Sequence, residues 1–144
     1  MKFIYKYVIV IVIILVVIGT LFLLNNKKDE QVIGDFSKSQ LVEVYDYSTN
    51  KLIIKYQNKV DIERLIKNLN VEKWEIGEKE SSDSKKYLIK LYQKPTKTIL
   101  NKKSNELKEV GTITVYSSGK YVDVSVNKIN LTFKTNKNIS SLFD

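Results

Sequence analysis

Hydrophobic and polar positions follow three rhythms along this chain, and each predicts a different element. Residues 8–24, VIVIVIILVVIGTLFLL, carry no charge, and fifteen of the seventeen are Val, Ile, Leu or Phe. A helix of that length covers about 25 Å, and with Tyr7 and the stems of Lys6 and Lys27 it bridges a hydrocarbon core of about 30 Å. Val and Ile are mediocre helix formers in water. In lipid a lone strand cannot satisfy its backbone groups, so the medium selects helix.

The second rhythm has period two. QLVEVYDY (40–47) and KLIIKY (51–56) alternate around STN and predict a hairpin; EKWEIGE (72–78), YLIKLYQ (87–93), VGTITVY (110–116), YVDVSV (121–126) and INLTFK (129–134) predict further strands. Gly119 in SSGK and Asn127 in NK tolerate the positive φ that tight turns need. Pro95 ends the strand before it, and 96–108 has no clear period and predicts no defined element. The third rhythm is helical: Ile62, Leu65, Ile66 and Leu69 recur at i, i+3, i+4 and i+7 and predict a helix over 61–70. Asp61 is expected to cap it, Val60 and Leu65 to staple it, and Asn70 to mark its exit.

Parity assigns faces. Ile113, Val115, Val122, Val124, Val126, Ile129, Leu131 and Phe133 share one side, which is the expected core. Thr112, Thr114, Tyr116, Tyr121, Asp123, Ser125, Asn130 and Thr132 share the other, the mixture expected where an antiparallel sheet meets water. Tyr45, Tyr92, Tyr116 and Tyr121 form a candidate binding face, because tyrosine offers apolar area and a hydroxyl at small entropic cost. The competing reading is that these tyrosines only stabilise strands through cross-strand pairs. Trp74, just after the helix, is expected to plug the helix–sheet junction.

These elements predict an α+β chain: a transmembrane helix followed by a small domain with a mainly antiparallel sheet of about six or seven strands and one amphipathic helix packed on it. The expected organisation is a basic tail (1–7), a membrane anchor (8–24), a polar tether (25–38) and an extracytoplasmic domain (39–144). A cleaved signal peptide competes with the anchor. The apolar run exceeds the usual signal length, the chain has no alanine, and cutting after Gly19 would leave Leu21, Phe22, Leu23 and Leu24 on the new terminus. A buried core helix would need a larger domain to surround it. Lys2 and Lys6 on one side nearly balance Lys27 and Lys28 on the other, so orientation rests on the long following domain and the secretory-type start, which favour a cytoplasmic N-terminus.

Composition narrows the chemistry. The formal charge is +8, but the four lysines flanking the apolar run supply half of it, and the rest is scattered with Arg64 as the single arginine. That pattern argues against nucleic acid as a partner. There is no cysteine and no histidine, so thiolate nucleophiles, cysteine metal sites and the usual general base are absent. Asp61, Glu63, Glu72, Glu75, Glu78, Glu80 and Asp83 cluster in sequence and are the remaining route to acid–base catalysis. Their alternation with lysine reads as a solvated face. No phosphate-binding, dinucleotide or calcium loop occurs, and no cofactor is expected.

The alanine-free, Lys/Ile/Asn-rich composition, the MKFIYKY start, and the series WEIGE, YLIKLYQ and GTITVYSSGKYVDV resemble small single-pass membrane-anchored extracytoplasmic proteins of low-GC Gram-positive bacteria. The resemblance implies a location and nothing catalytic. Two functional classes follow: a non-enzymatic module binding a protein, peptide or cell-envelope polymer, or a membrane-bound immunity or accessory subunit whose anchor recognises another membrane protein. A carboxylate-based hydrolase is a distant third.

Overall fold

The computed structural model describes residues 35–95 and 106–144. The expected anchor at 8–24, its flanking Lys2, Lys6, Lys27 and Lys28, most of the tether and residues 96–105 lie outside the described residues. The folded unit runs from Asp35 to Asp144. It therefore begins four residues before the expected start at Ser39: Asp35–Lys38 is a 3-10 turn, and Phe36 is only 2% exposed.

Seven strands form one antiparallel sheet: β1 (Leu41–Asp46), β2 (Leu52–Tyr56), β3 (Glu75–Ile76), β4 (Lys85–Gln93), β5 (Lys108–Tyr116), β6 (Tyr121–Val126) and β7 (Ile129–Lys134). Their spatial order is β2-β1-β4-β5-β6-β7-β3. The hairpins close as the turn residues require. Asn50, Asn127, Lys128 and Gly119 all have positive φ. The segment expected as a strand over 72–78 is mostly something else: Val71–Lys73 is a 3-10 turn, and only Glu75 and Ile76 pair, with Lys134 and Phe133 at the sheet edge.

The one α-helix among the described residues, α1 (Lys59–Leu69), starts earlier than its apolar stripe suggested. Asn58, not Asp61, is the N-cap: its side chain accepts the Val60 N–H at 2.9 Å. Asp61 sits in the first turn, and Val60 is 57% exposed, so the expected staple does not form. The reason is local. An Asn two residues after β2 satisfies an orphan N–H as soon as the chain turns, before any apolar position is reached. The exit is as expected, with Asn70 left-handed at φ 55° and its N–H meeting the Ile66 and Lys67 carbonyls.

Ile62, Leu65 and Leu69 of α1 are buried, as are Val42, Val44, Ile89, Leu91, Ile113, Val115, Val122, Val124 and Phe133 of the sheet. Trp74 fills the junction: its indole N–H donates to the Leu69 carbonyl at 3.0 Å and its ring lies 6.0 Å from that of Phe133. The C-terminal segment closes the same face. Ile139 is 0% exposed, and Phe143 packs edge-on to Tyr87 at 5.5 Å. The core parity holds along β5 to β7, but cover thins toward the β6–β7 turn, where Val126 and Leu131 are half-buried and Ile129 is 54% exposed.

Two glycines permit close approach. A Cβ on Gly111 would come within 2.9 Å of Val126 Cγ2 and 3.1 Å of the Ser125 carbonyl oxygen, so the bare backbone accommodates the close approach of β6, with Phe36 Cε1 in ordinary contact at 3.5 Å. Gly119 combines φ +67° with a site where a Cβ would lie 1.7 Å from Asn138 Oδ1, and that oxygen accepts from Ser140 Oγ and Ser141 N. Gly119→Ala is expected to lower stability by about 2 kcal/mol, through left-handed strain and loss of this turn-to-tail contact. Urea denaturation of the variant beside the parent measures it; a change within experimental error would refute the contact.

Candidate functional site

Register places all four predicted tyrosines on the face opposite the core: Tyr45 on β1, Tyr92 on β4, Tyr116 on β5 and Tyr121 on β6. The rows across the sheet read Lys55, Glu43, Lys90, Thr112, Ser125, Asn130 in one line and Tyr45, Leu88, Thr114, Asp123, Thr132 in the next. The tyrosines do not form one aromatic sheet. Three of them gather around two carboxylates, and Tyr121 stands apart.

Around Glu43, the Tyr45 phenol donates to Oε2 at 2.7 Å and the Lys55 ammonium lies 3.3 Å from Oε1. Burial alone would raise this carboxyl's pKa; the Tyr45, Lys55 and Tyr92 hydrogen bonds outweigh it and hold the pKa below its usual value. Tyr92 responds in the opposite sense, pushed up to about 12 by burial and by the Glu43 charge. Lys90 sits 5.1 Å from the centre of the Tyr45 ring and 4.0 Å from Glu109.

Around Asp123, the Tyr116 phenol donates to Oδ2 at 2.5 Å and the Thr132 hydroxyl to Oδ1 at 2.7 Å. Burial and the Asp123 bond raise the Tyr116 pKa. Tyr116 is 1% exposed, so it offers no contact area to a partner. The loop after β3 helps to cover it: Lys79 lies 4.8 Å over its ring, while Asp83 accepts from Ser117 Oγ at 2.8 Å, Ser118 N at 3.0 Å and Ser118 Oγ. Burial pulls the Asp83 pKa up, but those hydroxyl and amide bonds outweigh it and lower it.

Tyr121 differs, half-buried and beside a cleft of about 470 Å³ at one end of the sheet. Lys120, Lys134, Lys137, Asn136 and Asn138 line it with Ser118, Thr135 and Glu80. Its walls are held by backbone bonds, from Thr135 N to the Lys120 carbonyl at 2.8 Å and from Ile139 N to the Gly119 carbonyl at 2.9 Å. The buried Thr135 hydroxyl sits 2.9 Å from the Gly119 carbonyl and 2.7 Å from that of Lys137 and can donate to either. Sequence reasoning missed this cleft. Its lysines lie on a hairpin turn, a strand end and the tail, which parity does not connect; the visible signal was four lysines within residues 120–137, three of which line the cleft.

Among the described residues no group of three or more acidic, histidine or cysteine side chains is placed to hold a metal ion, and no helix is long and apolar enough to cross a membrane. No family model, curated protein or solved structure matches the chain. The class that geometry alone defines is an α+β domain with a seven-stranded antiparallel sheet.

The lowered carboxyls set an acid dependence. Glu43 and Asp83 bind protons more weakly folded than unfolded, so their stabilisation is complete above their ordinary values of 4.5 and 3.8 and is lost as pH falls through the folded values. Stability measured by urea midpoint is expected to fall below about pH 4. Glu43→Gln should flatten that fall; an unchanged slope would contradict the account.

Proposed function

We infer that the chain is a membrane-anchored, non-enzymatic binding module, with residues 8–24 in the bilayer and the folded unit outside the cytoplasm presenting Tyr121 and the lysine-lined cleft to an anionic partner. The anchor rests on the charge-free apolar run of residues 8–24. The single observation that carries the binding role is the cleft itself: an open concavity of about 470 Å³ lined by three lysines from separate segments. Phosphate or carboxylate groups along an extended chain match it, with Tyr121 as an apolar shoulder.

The carboxylates support binding over catalysis. A general acid needs a raised pKa, whereas Glu43, Asp83, Asp46 and Asp144 are all held below theirs by donors that already occupy their oxygens. They act as fixed acceptors that order turns and strands.

Two measurements test this reading together. Ser81→Cys creates the only thiol in the chain, and a membrane-impermeant maleimide on intact cells is expected to label it while the membrane fraction retains the full-length mass. Retention of purified protein on a polyanionic resin of phosphorylated polyol is expected to drop at least tenfold with Lys120→Gln, Lys134→Gln and Lys137→Gln combined. Tyr116→Phe should leave it unchanged. Labelling only after lysis would reverse the topology, and undiminished retention would eliminate the cleft.

A further inference from the structure

The strand directions sort the molecule into two ends. The cleft, Ser81 and the β5–β6 turn lie at one; the β6–β7 turn, the end of β4, the start of β5 and the start of α1 lie at the other. The chain also enters at this second end: the Asp35–Lys38 turn leads directly to Gln40, whose N–H meets the Tyr92 carbonyl near the end of β4 at 2.9 Å.

This second end has the composition of a membrane-contact surface. Val60, Leu107 and Ile129 are exposed there by 57%, 37% and 54%, and behind Ile129 the half-buried Val126 and Leu131 extend the apolar strip. Lys94, Lys108 and Lys128 lie at the same end, all exposed, and no ion pair holds any of the three among the described residues. Lys128 is held at φ 69° in a two-residue turn, which fixes it at the rim beside Ile129. Three of the nearby acids are directed to other cations: Glu109 toward Lys90, Asp61 toward Arg64 and Glu63 toward Lys59.

We propose that this end of the sheet rests on an anionic lipid surface, with Ile129 and Leu107 at the headgroup boundary and Lys94, Lys108 and Lys128 on lipid phosphates. The proposal builds on the membrane-anchored reading. Ten residues, 25–34, join the apolar run to Asp35, and fully extended they reach no further than about 35 Å, which limits how far this end can stand from the bilayer. Lysines around exposed aliphatic side chains suit that boundary, since the stems lie along apolar surface while the ammonium groups meet anionic headgroups. The same placement turns the cleft and Tyr121 away from the lipid, where a partner can approach them.

The test uses the full-length chain, which has no native cysteine. Ile129→Cys and Ser81→Cys, each carrying an environment-sensitive fluorophore, are reconstituted into vesicles of phosphatidylcholine alone or with phosphatidylglycerol. The label at 129 is expected to shift to the blue with phosphatidylglycerol, the label at 81 to report water in both, and Lys108→Glu with Lys128→Glu to return the label at 129 to aqueous emission. Aqueous emission at 129 from protein that resists carbonate extraction overturns the docking and leaves the anchor standing. Release of the protein by carbonate overturns the anchor and the docking with it. Unchanged circular dichroism shows that the charge-reversed variant is folded.

Discussion

A single wide sheet has to make one of its faces dry, and with one eleven-residue α-helix among the described residues the folded unit does not do this by regular secondary structure alone. α1 covers part of the face. The remainder is covered by pieces that are hardly elements at all: Phe36 from a four-residue turn, Trp74 from the segment after the helix, and Ile139 and Phe143 from the C-terminal tail. Trp74, Ile139 and Phe143 are each seated by a contact with another segment. Trp74 hangs on the Leu69 carbonyl, Ile139 on the Gly119 carbonyl, and Phe143 on the Tyr87 ring, whose phenol donates to Asp144 at 2.7 Å. Residues distant in sequence therefore stabilise the same apolar layer, and loss of one exposes the surface the others cover.

The other face solves a different problem. Its central positions are shielded by neighbouring strands and by the loop after β3, so polar groups there need partners. The chain supplies them by pairing each inner carboxylate with a phenol and a second donor: Glu43 with Tyr45 and Lys55, Asp123 with Tyr116 and Thr132. Tyrosine suits this because one side chain contributes ring area to the strand surface and a proton to the acid. Of the four tyrosines on this face, Tyr116 is consumed structurally, while Tyr121 remains half-exposed beside the lysine cleft. The same residue type thus does two jobs, separated by what crosses above it.

Much of the sheet was legible in the chain because alternation is a direct imprint of one-sided burial: all three of the last strands, their turns and their facing residues follow from parity. Trp74 at the helix–sheet junction and Asn70 at the helix exit were legible for similarly local reasons. The start of α1 was not, because the Asn58 cap precedes the stripe that marks the helix. Phe36 looked like part of a polar tether, since one aromatic among charged residues carries no period. The tail was silent for the same reason: NISSLFD gives no rhythm, although Ile139 and Phe143 are buried in the fold. The cleft was hidden because it is built from the ends of elements, which sequence patterning does not bring together.

Native-state amide exchange tests most directly whether these scattered pieces and the sheet form one cooperative layer. The Ile139 amide, bonded to Gly119 at 2.9 Å, should exchange only through the same global opening as the central amides of β4 and β5, with matching free energy and matching urea dependence. If Ile139 exchanges through a small, urea-independent local opening while those central strands stay protected, the tail is an ornament on a sheet that is dry without it, and the account of the core is wrong.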